Sequence, residues 1–146
     1  MRIQKSVEIN APPEKVWPFL VEPEKILGWC TTFKKFEYTT EQRSGEGTPI
    51  YVEEKAGGPL MKIHFTVTEW VENEKLAFRM TSGTGVKSYE IESTLESTPS
   101  GSKYTFMEEF KLPYSIIGKA LEAIGKGVAE GHIKEAVANL KNLAEV

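Results

Sequence analysis

Polar and apolar residues alternate from the start of the chain. Ile3, Val7 and Ile9 stand against Arg2, Gln4, Ser6, Glu8 and Asn10, with Lys5 the one breach, which predicts a half-buried strand over 2–10. Asn10-Ala11-Pro12-Pro13-Glu14 ends that strand and opens a helix. Proline at a first helical position sacrifices no hydrogen bond, and an acidic side chain suits the positive end of the helix. Val16, Trp17, Phe19 and Leu20 supply the buried side, while Pro18 inside the segment predicts a helix that is short or kinked. Glu22-Pro23-Glu24 repeats the opening signal, and Ile26, Leu27 and Trp29 make a second short helix that Gly28 helps to end.

The next stretch reads as consecutive strands over 33–42, 47–55, 60–71, 75–82, 86–97 and 102–111. Their separators, among them Ser44-Gly45-Glu46-Gly47, Gly57-Gly58-Pro59, Glu72-Asn73-Glu74, Gly83-Thr84-Gly85 and Pro99-Ser100-Gly101, are turn residues at hairpin spacing. Strands joined by such short loops form an antiparallel meander. After Leu112-Pro113 the period becomes helical over 116–144, with Ser115 as N-cap. Ile117, Ala120, Leu121, Ile124 and Val128 form one apolar stripe. Ala129, Ile133, Ala136, Val137, Leu140 and Leu143 form another, displaced by roughly 140° on the same wheel. Gly125, Gly127 and Gly131 cluster at the switch, each costing about 1 kcal/mol relative to alanine. They predict a kink, bulge or interruption, or else close packing on the sheet.

An antiparallel sheet of this length must cover one face, and only the last helix is long enough to do so. A curved sheet gripping one long helix leaves space between them, closed at one end by the short helices. Small molecules bind in concave, mostly apolar spaces of that kind.

The composition narrows the partners. Of 146 residues, 40% are hydrophobic and 27% charged, which is globular rather than disordered. A net charge of −3 offers no electrostatic footprint for nucleic acid. Cys30 is the single cysteine, so no intrachain disulfide forms, in keeping with a reducing compartment. The opening residues lack the apolar core of a signal peptide, and the longest apolar stretch, Val16 to Val21, falls far short of the ~20 residues of a membrane span. The expectation is one cytoplasmic domain over 1–146, without stable membrane insertion, monomeric or weakly homodimeric.

With these elements in order, the sequence resembles the START/Bet v 1-like (SRPBCC) superfamily, in its polyketide cyclase/dehydrase and lipid-transport-like branch. The resemblance is carried first by Val7-Glu8-Ile9-Asn10-Ala11-Pro12-Pro13-Glu14-Lys15-Val16-Trp17. It continues through Glu22-Pro23-Glu24 to Trp29, Gly45-Glu46-Gly47-Thr48, Thr68-Glu69-Trp70-Val71 with Leu76, and Gly101-Ser102-Lys103-Tyr104-Thr105. Pro18 departs from the usual continuation of the first helix. What the resemblance implies is an α+β helix-grip fold: a curved seven-stranded antiparallel sheet around a long C-terminal helix, two short helices after the first strand, and a hydrophobic cavity. It implies no single chemistry, since the superfamily includes carriers, hormone receptors, cyclases, co-chaperone domains and enzyme accessory domains.

Few residues offer themselves for catalysis. On strand 102–111, Tyr104, Phe106 and Phe110 share a face with Glu108. If that face lines the cavity, desolvation raises the Glu108 pKa and makes it a general acid or base. At the rim, paired with Arg79 or a lysine, or turned outward by a bulge, it is structural instead. Glu53 follows Tyr51 by two residues and poses the same question; if Ile50 and Val52 are the buried pair, Glu53 belongs to the solvated face. Tyr51 and Tyr104 are the accompanying hydrogen-bond donors. Strand 60–71 puts Met61, Ile63, Phe65 and Val67 on one face, so His64 lies outside; His132 falls near the stripe switch. Neither histidine has a second ligand at metal spacing, so no metal is expected. Cys30 reads as a small buried hydrophobe. Gly83-Thr84-Gly85-Val86-Lys87-Ser88 is a hairpin turn rather than a phosphate loop, because the spacing is wrong and no helix follows.

Binding falls to the apolar residues: Trp29, Phe65, Phe78, Met80, Tyr89, Phe106, Ile117, Leu121 and Ile124 are the expected lining. The favoured reading is a binder or carrier of a small hydrophobic molecule such as a lipid, isoprenoid or polyketide, with no cofactor. The alternatives are a cyclase- or dehydratase-type enzyme using an inward carboxylate, and a protein-interaction module with an exposed apolar patch on the second helix stripe.

Overall fold

The computed structural model describes residues 1–112 and 119–146, apart from the side chains of 119–122. The strands are β1 (Arg2–Ile9), β2 (Phe33–Tyr38), β3 (Pro49–Glu54), β4 (Met61–Val71), β5 (Lys75–Gly83), β6 (Ser88–Thr98) and β7 (Gly101–Lys111). They form one seven-stranded antiparallel sheet in the order β1-β7-β6-β5-β4-β3-β2. The meander read from the turns is therefore present, with β1 added beside β7. The helix-grip fold is completed by α4 (Lys119–Ala144). The second strand is shorter than expected, ending at Tyr38, because the chain turns at Gly45 and Gly47, where the Thr48 hydroxyl donates to the carbonyls of Ser44 and Gly45.

Three short helices, not two, follow β1: α1 (Pro13–Val16), α2 (Pro18–Val21) and α3 (Pro23–Trp29). Pro18 is the reason. It cannot donate a backbone hydrogen bond, so the first helix stops after one turn and Pro18 starts the next. Trp17 stays helical across the join (φ −50°, ψ −43°) and packs edge-on against Trp70 at 5.6 Å. Trp70 reaches that contact because β4 carries a bulge between Val67 and Glu69, which shifts the inward phase by one residue. A similar shift between Phe33 and Lys35 buries both Phe33 and Phe36.

The α4 helix runs uninterrupted through Gly125, Gly127 and Gly131. Packing of one face outweighs their weak propensity. The second stripe supplies that face: Ile133, Ala136, Val137 and Leu140 are buried against the core. The C-terminal end of the helix is tied down where Lys141 donates to the Glu8 carbonyl (2.7 Å) and the Asn10 N–H to Glu145 (2.8 Å). The apolar patch expected on the second stripe is therefore largely absent, with only Leu143 partly open at 41%. Exposure falls instead on the first stripe, where Ile124 is 62% and Val128 44% exposed. Ser115, and the side chains of Ile117, Ala120 and Leu121, lie outside the described residues.

Gly101 opens β7 at φ +150°, with no room for a side chain. A Cβ there would collide with the Ile9 carbonyl oxygen and lie 2.6 Å from the Ala11 nitrogen. Gly101→Ala should lower the unfolding free energy by about 2 kcal/mol or more, read from urea denaturation, by forcing the β1–α1 connection off β7. An unchanged midpoint would show that the connection yields freely.

Candidate functional site: a cavity floored by two carboxyl groups

A cavity of about 330 Å³ lies between the concave face of the sheet and the first half of α4. Its walls are apolar. Phe106 and Phe110 come from β7, Met61 and Val86 from β4 and the β5–β6 turn, and Ala129, Ile133 and Ala136 from α4. The Gly57-Gly58-Pro59 turn and Val128 also border it; a Cβ on Gly57 would stand 3.5 Å from Val128 Cγ1.

The floor is polar. Alternation along β3 buries Ile50, Val52 and then Glu54, and alternation along β7 buries Tyr104, Phe106 and then Glu108. Both strands thus deliver a carboxyl group to the inner face at their ends. Tyr89 on β6 pairs with Phe110 in register, one step along from the Ile91–Glu108 pair, so Tyr89 and Glu108 are diagonal neighbours on that face. The Tyr89 hydroxyl oxygen lies 2.6 Å from Glu108 Oε1 and 3.0 Å from Glu54 Oε1. Glu54 Oε2 accepts a further hydrogen bond from Thr32 (2.9 Å). Tyr89 is itself held edge-on by Phe65, ring centroids 5.5 Å apart.

A phenol carries one hydrogen. Tyr89 can donate to one of these carboxyl groups, and it can accept from the other only if that other carries a proton. The geometry therefore calls for one proton on the pair. Burial, and then the charge of Glu54, push the Glu108 carboxyl up to about 8. Burial also raises Glu54, against the hydrogen bonds from Thr32 and Tyr89, which favour its ionised form. Burial and the Glu54 charge favour Glu108 as the holder of that proton, with the Tyr89 hydroxyl bridging the two carboxyl groups. Burial and the same two carboxyl groups hold the Tyr89 hydroxyl and the Cys30 thiol well above their ordinary values, so both stay protonated.

The residues singled out from the sequence divide. Glu108, Tyr89 and Phe106 line the cavity together. Glu53 does not: it points out of the sheet, where it accepts a hydrogen bond from Tyr51 (2.9 Å), because Ile50 and Val52 take the inward phase. The buried carboxyl of that strand is its neighbour Glu54, which the same alternation would have identified. Trp29 and Phe78 sit behind Phe106 around a void of about 20 Å³. Trp29 is fixed there by its ring N–H to the Phe19 carbonyl (2.7 Å) and by edge contacts to Tyr104 and Phe106. Phe65 packs beneath Tyr89, and Met80 is half-buried; neither borders the cavity. Ile124 is exposed, because the helix turns that position away from the sheet. Ile117 and the Leu121 side chain lie outside the described residues. Cys30, Thr32 and His132 also border the cavity, and only His132 lay in a segment whose phase was open. His64 faces outward, its ring centroid 4.9 Å from that of Tyr51.

The chain belongs to the polyketide cyclase / dehydrase and lipid transport family, whose model matches residues 1–145. No curated protein matches it in sequence. Among solved structures, a Thermus thermophilus protein superimposes with a TM-score of 0.83 at 16% identity, covering 99% of this chain and 97% of that one. A START superfamily protein from Mycobacterium smegmatis gives 0.78 at 14% identity, covering 97% of each chain. The Zhui aromatase/cyclase of a Streptomyces species gives 0.78 at 14% identity, covering 99% of this chain and 93% of that one. At these identities the likeness is one of fold. No described helix is long and apolar enough to cross a membrane, and the described residues hold no group of three or more His, Cys, Asp or Glu side chains placed to share a metal ion.

The raised Glu108 pKa has a sign. Folded, the group stays neutral up to about 8; unfolded, it ionises near the ordinary carboxyl value of 4.5. Its contribution to stability is complete below the unfolded value and is lost as pH rises toward 8. Urea midpoints should therefore fall between pH 5 and about pH 8.5, and Glu108→Gln should flatten most of that fall. An equally steep fall in the variant would place the proton elsewhere.

Proposed function

We propose that the chain binds or carries a small, mostly apolar molecule in the space between sheet and α4. One observation supports this most: the cavity holds about 330 Å³ and is walled by Met, Phe, Val, Ile and Ala side chains. Family membership agrees with the reading. Native mass spectrometry of the purified protein should show a retained small molecule that solvent extraction removes and whose removal lowers the melting temperature. Ala129→Phe, which places a ring in the cavity, should reduce retention at least about tenfold. A protein that carries nothing, and whose melting temperature no lipid, isoprenoid or polyketide-like compound raises, would remove the reading.

The carboxyl pair favours a second reading, acid–base catalysis of a dehydration. For a β-hydroxy ketone, Glu54 would take the α-proton as the carbon–oxygen bond breaks, and Glu108 would give its proton to the departing hydroxide. One water leaves, and the proton now on Glu54 returns to Glu108 through the Tyr89 hydroxyl that bridges them. With 4-hydroxy-4-phenylbutan-2-one, enone absorbance should grow in the presence of the protein, and Glu108→Gln should slow it by about 10²- to 10⁴-fold. No acceleration by the wild-type protein leaves the binder alone.

A further inference from the structure

We propose that the molecule held in this cavity carries a basic nitrogen at its buried end, docked as an ammonium group against Glu108 and Glu54. The proposal rests on the binding reading and specifies its ligand class. Glu54 and Glu108 are only 4% and 8% exposed, yet no lysine or arginine side chain borders the cavity among the described residues. The described ion pairs of the sheet, such as Lys75 with Glu69 and Glu92 or Arg79 with Glu90, involve outward side chains. A buried carboxylate without a cation is costly, and here the partial remedy is the shared proton.

That remedy leaves one oxygen unused. Glu108 bonds through Oε1, while Oε2 has no partner among the described residues. It is not among the fully buried unpaired side-chain atoms of the described residues, and Glu108 itself borders the cavity. An ammonium offers three donors, an alcohol one, and a carboxylate none. An ammonium can donate to Glu108 Oε2 and supply the missing positive charge. A fatty-acid carboxylate entering head-first would meet two oxygens and a like charge. The expected preference is amine over alcohol over carboxylate.

A docked ammonium can take that proton's place: Tyr89 keeps its one donation to Glu54, Glu108 turns to the ammonium, and Glu108 should release its proton to solvent. The other titratable residues bordering the cavity among the described residues are Met1, whose terminal ammonium donates to the Phe110 carbonyl, Cys30 from the end of α3, Tyr89 from β6 and His132 from α4.

Calorimetric titration of the full chain with octylamine, octanol and octanoate at pH 7 tests the proposal. Octylamine should bind at least about tenfold more tightly than octanol, with octanoate weakest. Repeated in two buffers of different ionisation heat, octylamine binding should release up to one proton and octanol binding none. Glu54→Gln and Glu108→Gln should each erase the amine's advantage over the alcohol, and Glu108→Gln should abolish the proton release. Release that persists in Glu108→Gln would place the proton elsewhere and overturn the proposal. If the variants fail to fold, the wild-type order and proton count decide alone. Similar affinities for all three compounds would sink the amine assignment and leave the hydrophobic binder standing. No binding of any of them, with nothing retained in native mass spectra, removes both readings.

Discussion

The cavity exists because one helix must cover a concave sheet with side chains of unequal size. In its second half α4 offers Ile133, Val137 and Leu140, which reach the core and are buried there. In its first half the described positions bordering the cavity are Gly125, Val128 and Ala129. A glycine and an alanine cannot fill the distance that isoleucine and leucine fill, and a sheet this curved does not close the gap by bending further. Space is left at one end and a solid core at the other, where Trp17 and Trp70 close the grip. The lack of an interruption in α4 belongs to the same account. Anchored by its C-terminal half, the helix stays straight enough in its hydrogen bonding to hold its small-residue half away from the floor.

Into that space the strand ends deliver charge. Glu54 and Glu108 would each cost several kcal/mol as isolated buried ions. They become tolerable through a hydroxyl that sits between them and one proton that they divide. The 2.6 Å separation of Tyr89 from Glu108 is that of a hydrogen bond with an ionisable partner, not of a passive contact. Low polarity around the pair strengthens every electrostatic interaction inside it. The same surroundings keep Cys30 protonated and inert, so the thiol lining the cavity is part of its wall.

Much of this was readable in advance. The order of strands and helices, the inward phase of β7 and the outward place of His64 follow from alternation and turn residues. What failed did so where alternation breaks or where depth matters. The bulge in β4 moves Trp70 inward without any mark in the residue pattern, and the shift in β2 buries Phe33 and Phe36 three positions apart. On β3 the in-phase residue after Ile50 and Val52 was Glu54, but a glutamate at a strand end reads as a solvent residue unless the sheet is known to curl over it. Phe65, Phe78 and Met80 carry the inward pattern, yet nothing in a sequence says which inward residues meet packing atoms and which meet space. Pro18 was read correctly as a disruption; that it starts a helix as well as ending one depends on Trp17 keeping helical angles across the join.

A floor of this kind is a poor way to build a core. Replacing the Glu54–Tyr89–Glu108 group by leucine and phenylalanine would remove two desolvated carboxyl groups and one shared proton, and buried ion sites converted to well-packed apolar residues are often neutral or more stable. Most of the chain obeys the local rules of its fold: turn residues at turns, apolar residues inward, charges outward. The departures gather at one place. Gly125, Ala129 and Ala136 of α4 and the two inward carboxyl groups all border a single cavity. Concentrated violations of otherwise consistent patterning mark sites where stability is given up for chemistry or binding. Apolar walls alone would serve any hydrophobic guest. On the proposed readings, the acidic floor suits a guest, or a reaction, that needs an acceptor and a proton at the bottom of the pocket.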